Sequence, residues 1–187
     1  MGVRLLLSRL AREALGLLTA VLPAPRIIFD REGGSPYLSR WYLAGKGVDP
    51  DRGRLVFSLF PWSPVGVYIH RFHRSDDDGA LHSHPWRWSV ALVLVNGYSE
   101  ERRVGDSVVR RLVRPFSINV LRGDDYHRVD LVGSDAWSIF IAGPKASTWH
   151  FWDRHTKRRA HWRTFVEAKR GQLPDAHWEA DERKAVR

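Results

Sequence analysis

The 187-residue sequence contains no cysteine. This absence excludes a disulfide framework, a thiolate metal site and a cysteine nucleophile, so any metal must be held by His, Asp or Glu. The sequence also lacks the phosphate-binding patterns G-x-G-x-x-G and G-x-x-x-x-G-K-[ST] and the nucleophile elbow G-x-S-x-G. These absences exclude nucleotide-driven chemistry and serine hydrolysis.

Acidic residues are in the minority. Lys and Arg number 30 against 21 Asp and Glu, which gives a net charge of +9 with His neutral. Such a charge favours anionic partners. No DNA- or RNA-binding motif accompanies it, so a nucleic-acid partner is not expected. The hydrophobic fraction of 43% is ordinary for a globular protein, and the length suits one domain with short extensions.

Residues 3–22 have the period of an amphipathic basic helix, which Pro23 and Pro25 end. Its polar side contains Arg4, Ser8, Arg9, Arg12, Glu13, Gly16 and Thr19. Charges inside the run leave it too short to span a bilayer core roughly 30 Å thick. We expect the helix to pack on its own domain or on a twin subunit in a homodimer, with membrane-surface contact through residues 3–22 as the alternative. The expected location is cytoplasmic, with peripheral membrane attachment left open.

Short β-branched and aromatic runs separated by turn residues fill residues 26–143 and predict a β-sandwich or barrel. After about residue 153 the composition becomes charged and helical, and a second helical piece is expected at residues 175–186. The predicted division is therefore a helical extension over residues 1–25, a β-domain over residues 26–152, and a helical charged tail over residues 153–187.

The most informative stretch contains His82 and His84, which precede an apolar strand. On an extended chain these two residues point to the same side, as a chelating pair would. His127 opens a later strand, where it shares a face with Val129 and Leu131, and this face is interior. Three neutral imidazoles are suitable ligands for Fe(II), Zn(II), Cu(II) or Ni(II), and they leave open positions for substrate or O2.

The H-x-H pair followed by a distant single histidine resembles the cupin superfamily over roughly residues 65–143. The fuller pattern PYLSRWYL, HSHPW, GYSE, HRV and AGPK is similar to uncharacterised cupin-like proteins of bacteria and phages. The resemblance implies a mainly β, cupin-like antiparallel β-barrel (jelly roll) with one divalent metal inside. Trp88 and Ser89 occupy the position of the usual fourth ligand, a Glu, so the site is similar to that of the three-histidine cupins.

Glu100 and Arg102 share the inner face of the next strand and are the candidate catalytic residues. Glu100 either completes the metal shell or orients a metal-bound histidine or water, and a simple ion pair with Arg102 is the third alternative. Arg102 is the candidate for holding an anionic substrate, because a guanidinium binds carboxylates through two parallel hydrogen bonds.

Three tryptophans, Trp86, Trp88 and Trp137, are expected to fill the barrel and to shape the substrate pocket. His70 and His73 have opposite parity and cannot both face one metal, so each is expected to be a structural histidine. The acids at positions 76–78 are expected to form a solvated turn, with Asp78 placed to orient His82 or His84.

These observations favour a mononuclear cupin oxygenase that uses Fe(II) to act on a small anionic substrate. Two alternatives remain open at this point. One is a Zn(II), Mn(II) or Ni(II) cupin isomerase or hydrolase, and the other is a non-catalytic ligand-binding cupin.

Overall fold

The computed structural model describes residues 2–29, 34–45, 47–49, 54–56, 58–76 and 79–169. It contains α1 (Gly2–Val21), β1 (Arg26–Phe29), β2 (Pro36–Ala44), β3 (Gly47–Asp49), β4 (Arg54–Val56), β5 (Gly66–Phe72), β6 (Leu81–His82), β7 (Trp88–Val95), β8 (Tyr98–Val104), β9 (Ser107–Val113), β10 (Ser117–Arg122), β11 (His127–Leu131), β12 (Ala136–Ala142), β13 (His150–Trp152), β14 (Arg159–His161) and α2 (Trp162–Lys169). The prediction of a mainly β protein with a helix near each end is confirmed.

The strands form two six-stranded antiparallel sheets that pack face to face. The first sheet has the order β1-β2-β5-β12-β7-β10, and the second has the order β14-β13-β6-β11-β8-β9; β3 and β4 form a separate hairpin. Within the described residues no ladder of hydrogen bonds joins the two sheets, so the expected closed barrel is instead an open sandwich. The joint core is built from Val93 and Ala136 of the first sheet with Tyr98, Val113 and Val129 of the second.

The chain turns at Asn96 and Gly97, between β7 of the first sheet and β8 of the second, and an Asn-Gly dipeptide is typical of a tight turn. Their φ angles are 60° and 93°, and positive φ at both central residues is the requirement of a type I′ turn. A Cβ on Gly97 would lie 2.3 Å from the backbone oxygen of Val113, so only glycine fits. This turn passes the chain from the first sheet to the second, where the pairing of β8 with β9 and β11 sets its register and directs the carboxylate at position 100 inward.

Helix α1 packs on the outer face of the first sheet, which agrees with the expectation that it packs on its own domain. Leu15 is buried there in a cluster with Ile69, Val95 and Trp137, and Ser8 is also buried. The packing surface is therefore the side bearing Ser8, Leu15 and Arg12, whereas most of the leucine-rich side is exposed. None of the described helices is long and apolar enough to cross a membrane.

An ion pair attaches α1 to the start of β12. Both terminal nitrogens of Arg12 donate to the Asp135 carboxylate at 2.6 and 2.8 Å, and Arg71 and the Trp137 indole donate to the same group. Burial by itself would raise the pKa of Asp135, but the hydrogen bonds from Arg12 and Trp137 outweigh it and hold the pKa below the ordinary 3.8. Because the folded-state pKa is depressed, this carboxylate adds stability above about pH 4 and loses it as the pH falls.

Asp135→Asn is therefore expected to lower the free energy of unfolding at pH 7 by about 1–3 kcal/mol, since Arg12, Arg71 and Trp137 lose a buried, charged acceptor. The difference from the wild type should shrink below about pH 4, where Asp135 itself becomes protonated. Urea unfolding of both proteins at several pH values measures this. Asp106→Asn, at a carboxylate 57% exposed, is the matched control and should behave as wild type. A constant difference between Asp135→Asn and wild type at all pH values would contradict the expectation.

The C-terminal part differs from the expected all-helical tail. β13 and β14 pair with each other, and β13 pairs with β6, so the second sheet continues through residue 161. The helix begins only at Trp162, and its Phe165 stacks on Phe151 at 4.2 Å between ring centroids. The burial of Phe151 stabilises the strand at this position more than the charged composition around it favours a helix. The helix expected at residues 175–186 lies outside the described residues.

Candidate metal centre

The structure brings the three predicted imidazoles together. His82 ends β6 and is the cross-strand partner of His127 at the start of β11, and His84 follows two residues after His82. The ring centroids are 4.7 Å apart for His82 and His127, 5.0 Å for His84 and His127, and 5.3 Å for His82 and His84. One nitrogen from each ring lies within 4.8 Å of the other two, so a single ion could contact all three.

The spacing of the ring nitrogens fits metal ligation. The Nε2 atoms of His84 and His127 are 2.9 Å apart. Two nitrogens bound at ~2.1 Å would lie roughly 2.9–3.4 Å apart at bond angles between 90° and tetrahedral. The pKa of His84 is well below its ordinary range, first because the ring is buried and then because His127 and His82 lie beside it. His84 is therefore a neutral imidazole, the form that binds metals.

Glu100 lies behind His127 and is completely buried. Its Oε1 is 2.9 Å from His127 Nδ1, which directs the Nε2 of that ring toward His84. Burial by itself would raise the pKa of Glu100, but the hydrogen bond and charge of His127, followed by Asn119 and Arg102, lower it well below its usual value. The carboxylate is thus placed to orient a metal-binding histidine through the opposite ring nitrogen, a common arrangement around metals.

Three side chains hold the Glu100 carboxylate in this position. Arg111 Nε donates to Oε2 at 2.7 Å, and Asn119 Nδ2 donates to Oε1 at 2.8 Å. Arg102, the expected substrate anchor, instead contacts Glu100 at 3.3 Å and donates to Asn119 Oδ1 at 2.7 Å. Its Nε is buried without a hydrogen-bond partner. Neither Arg111 nor Asn119 is among the residues predicted for the site. The signal for Arg111 is that the β8–β9 hairpin pairs it with Glu100.

A second carboxylate lies beside His82. Asp76 Oδ2 is 3.6 Å from His82 Nδ1, and the carboxylate also accepts hydrogen bonds from the Tyr37 hydroxyl at 2.5 Å and the Val129 amide at 2.8 Å. Asp76 is only 7% exposed. The expected solvated turn is therefore incorrect for this residue, because two strands enclose it. Asp78, the predicted orienting acid, lies outside the described residues.

The three predicted pocket tryptophans are separated by the fold. Trp86 stacks on His84 at 5.6 Å and lies 5.5 Å from Phe140, beside the metal-site histidines. Trp88 is the cross-strand partner of exposed Arg122 on the outer face of the first sheet, with its ring against Gly143. Trp137 stacks on Trp41 beneath α1. Of the three, only Trp86 is thus near the site. Trp137 could not be placed from the sequence, because β12 is buried on both faces and its alternation does not show which face is the inner one.

His70 and His73 are placed as structural histidines on opposite sides of the first sheet. His70 is 3% exposed on the inner face, where its Nε2 accepts a hydrogen bond from Arg40 at 2.8 Å. His73 Nε2 is 2.8 Å from the Ser39 hydroxyl. Burial, followed by the charge of Arg40, lowers the pKa of His70 well below its ordinary value, so this ring is a neutral hydrogen-bond acceptor.

No family model and no curated protein matches the sequence. Among solved structures the fold is similar to KdgF from Halomonas sp., at 15% identity and a TM-score of 0.41, covering 58% of this chain and 80% of that one. It is also similar to the DMSP lyase DddQ from Ruegeria pomeroyi DSS-3, at 14% identity and a TM-score of 0.49, covering 74% of this chain and 64% of that one. An oxalate oxidase studied with glycolate has 14% identity and a TM-score of 0.40, covering 60% of this chain and 53% of that one.

This chain spans less than two thirds of the last two proteins. The likeness concerns the fold, and the activities of these proteins are not carried over.

Proposed function

We propose that this protein is a mononuclear metalloenzyme, an Fe(II) oxygenase that acts on a small anionic substrate. The observation that supports it is the convergence of His82, His84 and His127, with His127 held by a buried carboxylate. Three neutral ligands occupy only part of the coordination sphere of a divalent ion, so positions remain for substrate and O2. A cavity of about 380 Å³ is lined in part by Tyr68, Trp86 and Lys145 and is of a size for a small molecule. Trp86 connects it to the site, since its ring stacks on His84.

The surrounding residues have separable roles in this proposal. Iron would supply the redox chemistry that activates O2. Glu100 keeps the Nδ1 proton of His127 in place and thereby holds its Nε2 toward the ion. Trp86 and Phe140 form an apolar wall beside His84 that limits the entry of water. The reaction we propose is a dioxygenation, in which both atoms of O2 enter the substrate and no external reductant is consumed.

The same three histidines would also bind Zn(II), Mn(II) or Ni(II). With one of these metals the protein would be an isomerase or hydrolase, or a ligand-binding protein without catalytic activity. Metal analysis of protein purified without a nickel column, followed by O2 uptake after iron is restored, distinguishes these cases. The proposal expects iron at one equivalent per chain and O2 consumption that depends on added small carboxylates or other organic anions. Bound zinc, manganese or nickel with no O2 uptake after iron loading would overturn it.

We also propose that α1 lies on an anionic membrane surface. The helix exposes an apolar stripe at heptad-like spacing, with Val3, Leu10, Leu17 and Val21 between 52% and 81% exposed. The strands beside it continue this surface with Leu92, Ile118 and Val120. The exposed Arg4 and Arg9 and the net charge of +9 match an acidic bilayer better than a second copy of this chain.

The double variant Leu10→Glu with Leu17→Glu is expected to abolish flotation with phosphatidylserine-containing vesicles, because it places charge in the apolar stripe. The matched control, Val104→Glu with Leu112→Glu, changes two apolar residues that are 58% and 52% exposed in the second sheet and should float as wild type. Equal flotation of both variants would contradict membrane attachment. A dimer in sedimentation that only the first variant dissociates, without vesicle binding, would show that a second copy covers this surface.

A further inference from the structure

Arg40 lies on β2 with its side chain on the inner face of the first sheet. It is the cross-strand partner of His70, and its Nε donates to His70 Nε2 at 2.8 Å. The guanidinium carbon lies 5.0 Å from the centre of the Tyr68 ring, in a cation–π contact. These two contacts fix the plane of the guanidinium and leave its two terminal nitrogens for another partner.

Among the described residues no carboxylate forms an ion pair with Arg40. Two other arginines, Arg102 and Arg111, differ from it, since both contact Glu100. The terminal nitrogens of Arg40 are therefore placed to pair with an anion.

A chain of stacked rings connects Arg40 to the metal centre. Its partner His70 stacks on Phe140 at 4.7 Å, and the ring of Phe140 is 6.0 Å from that of His84. Arg40 therefore lies on the inner face of the first sheet, on the side that carries the stacked rings leading to His84.

We infer that Arg40, positioned by His70, is a carboxylate-binding subsite and that the substrate of the proposed oxygenase is a small carboxylic acid. The two terminal nitrogens of Arg40 match the two oxygens of a carboxylate. The guanidinium is planar, and the hydrogen bond from its Nε to His70 fixes the orientation of that plane. The claim that the bound carboxylic acid is a substrate rests on the proposed function, whereas binding of an anion by Arg40 does not require the metal. Arg40 replaces Arg102 as the proposed substrate anchor, because Arg102 contacts Glu100 and Asn119.

The test compares propionate with propionamide, which has nearly the same shape and no charge, by ligand-observed NMR titration of metal-free protein. Wild type is expected to prefer propionate, and Arg40→Gln to reduce that preference by about 10–100-fold, the usual range for a charged hydrogen-bonded pair. Arg40→Lys should retain part of it, because charge remains and the two-donor geometry is lost. Arg122→Gln, at an exposed residue, is the control and should bind as wild type.

Substitutions of His70 test independently whether this residue positions Arg40. His70→Gln keeps a hydrogen-bond acceptor for Arg40 Nε and should keep most of the preference for propionate, whereas His70→Phe should lose it. Thermal melting establishes that each variant is folded. Undiminished propionate preference in folded Arg40→Gln would overturn the subsite, even if iron-dependent O2 uptake is found. If Arg40→Gln loses the preference for propionate while wild type shows no O2 uptake, the carboxylate-binding subsite is supported and the proposed oxygenase activity is rejected.

Discussion

Replacement of His84 by alanine is expected to lower the affinity for iron by more than about 100-fold, because losing an outer-shell partner of a ligand already costs ~10–100-fold. His84 supplies one of the three convergent nitrogens, and its Nε2 lies 2.9 Å from that of His127. Removing it leaves two imidazoles, too few to compete with water for a divalent ion at micromolar concentration. O2 uptake should be lost with the metal.

Metal content after dialysis, measured by mass spectrometry of the elements, tests this expectation. His73→Ala is the matched control, because His73 is also half-buried but is bonded to Ser39, away from the cluster. The control should retain the iron of wild type. A His84→Ala protein with unchanged iron content would remove His84 from the ligand set and, with it, the basis of the proposed function.

Replacement of Glu100 by glutamine should weaken both stability and metal binding. The change leaves Arg111 and Arg102 without the anion that they contact at 2.7 and 3.3 Å. Breaking a buried ion pair typically costs ~3–5 kcal/mol, and because Arg111 is half exposed we expect about 2–4 kcal/mol. Loss of the charge that orients His127 should reduce iron affinity by about 10–100-fold.

Glu101 is the neighbouring residue on β8 and gives the control for Glu100. It is 7% exposed and accepts hydrogen bonds from Arg154 at 2.5 Å and Arg110 at 3.2 Å, away from the three histidines. Glu101→Gln is expected to lose stability in urea unfolding while keeping the iron affinity of wild type. If both variants lose iron affinity equally, Glu100 is only a structural residue and not the positioning group for His127.

Most of the strands could be predicted because alternation and turn residues are local properties. β2, β8, β9 and β12 lie in the region of residues 26–143 where the short β-branched and aromatic runs predict strands, and the chain turns at Asn96–Gly97 between two of these runs. Other elements have no such signal. β6 contains two residues, and β13 and β14 contain three each, so their pairing depends on contacts with distant strands rather than on periodicity.

The parts of the site differ in the same way. The spacing of His82 and His84 places both on one side of an extended chain, and the interior parity of His127 is visible from its neighbours. Trp88 and Trp137, predicted for the pocket, lie on the outer face of the first sheet. For Trp137 the reason is that β12 is covered on both faces and has no polar alternation to mark its inner side. Asn119 and Asp76 could not be chosen because each meets its partner through tertiary packing, whereas the register of the local β8–β9 hairpin is a signal for Arg111.

Composition and local pattern are enough to establish the chemistry available to this protein: imidazole and carboxylate donors without thiols, a basic charge, and a helix with a leucine-rich side. These properties do not depend on which segments meet. The contacts between distant segments establish that Glu100 supports His127, that α1 packs through Ser8 and Leu15, and that no described acid reaches Arg40. Hydrogen bonds and ion pairs act over a few ångströms, so residues far apart in the chain acquire their roles only when the sheets bring them into contact.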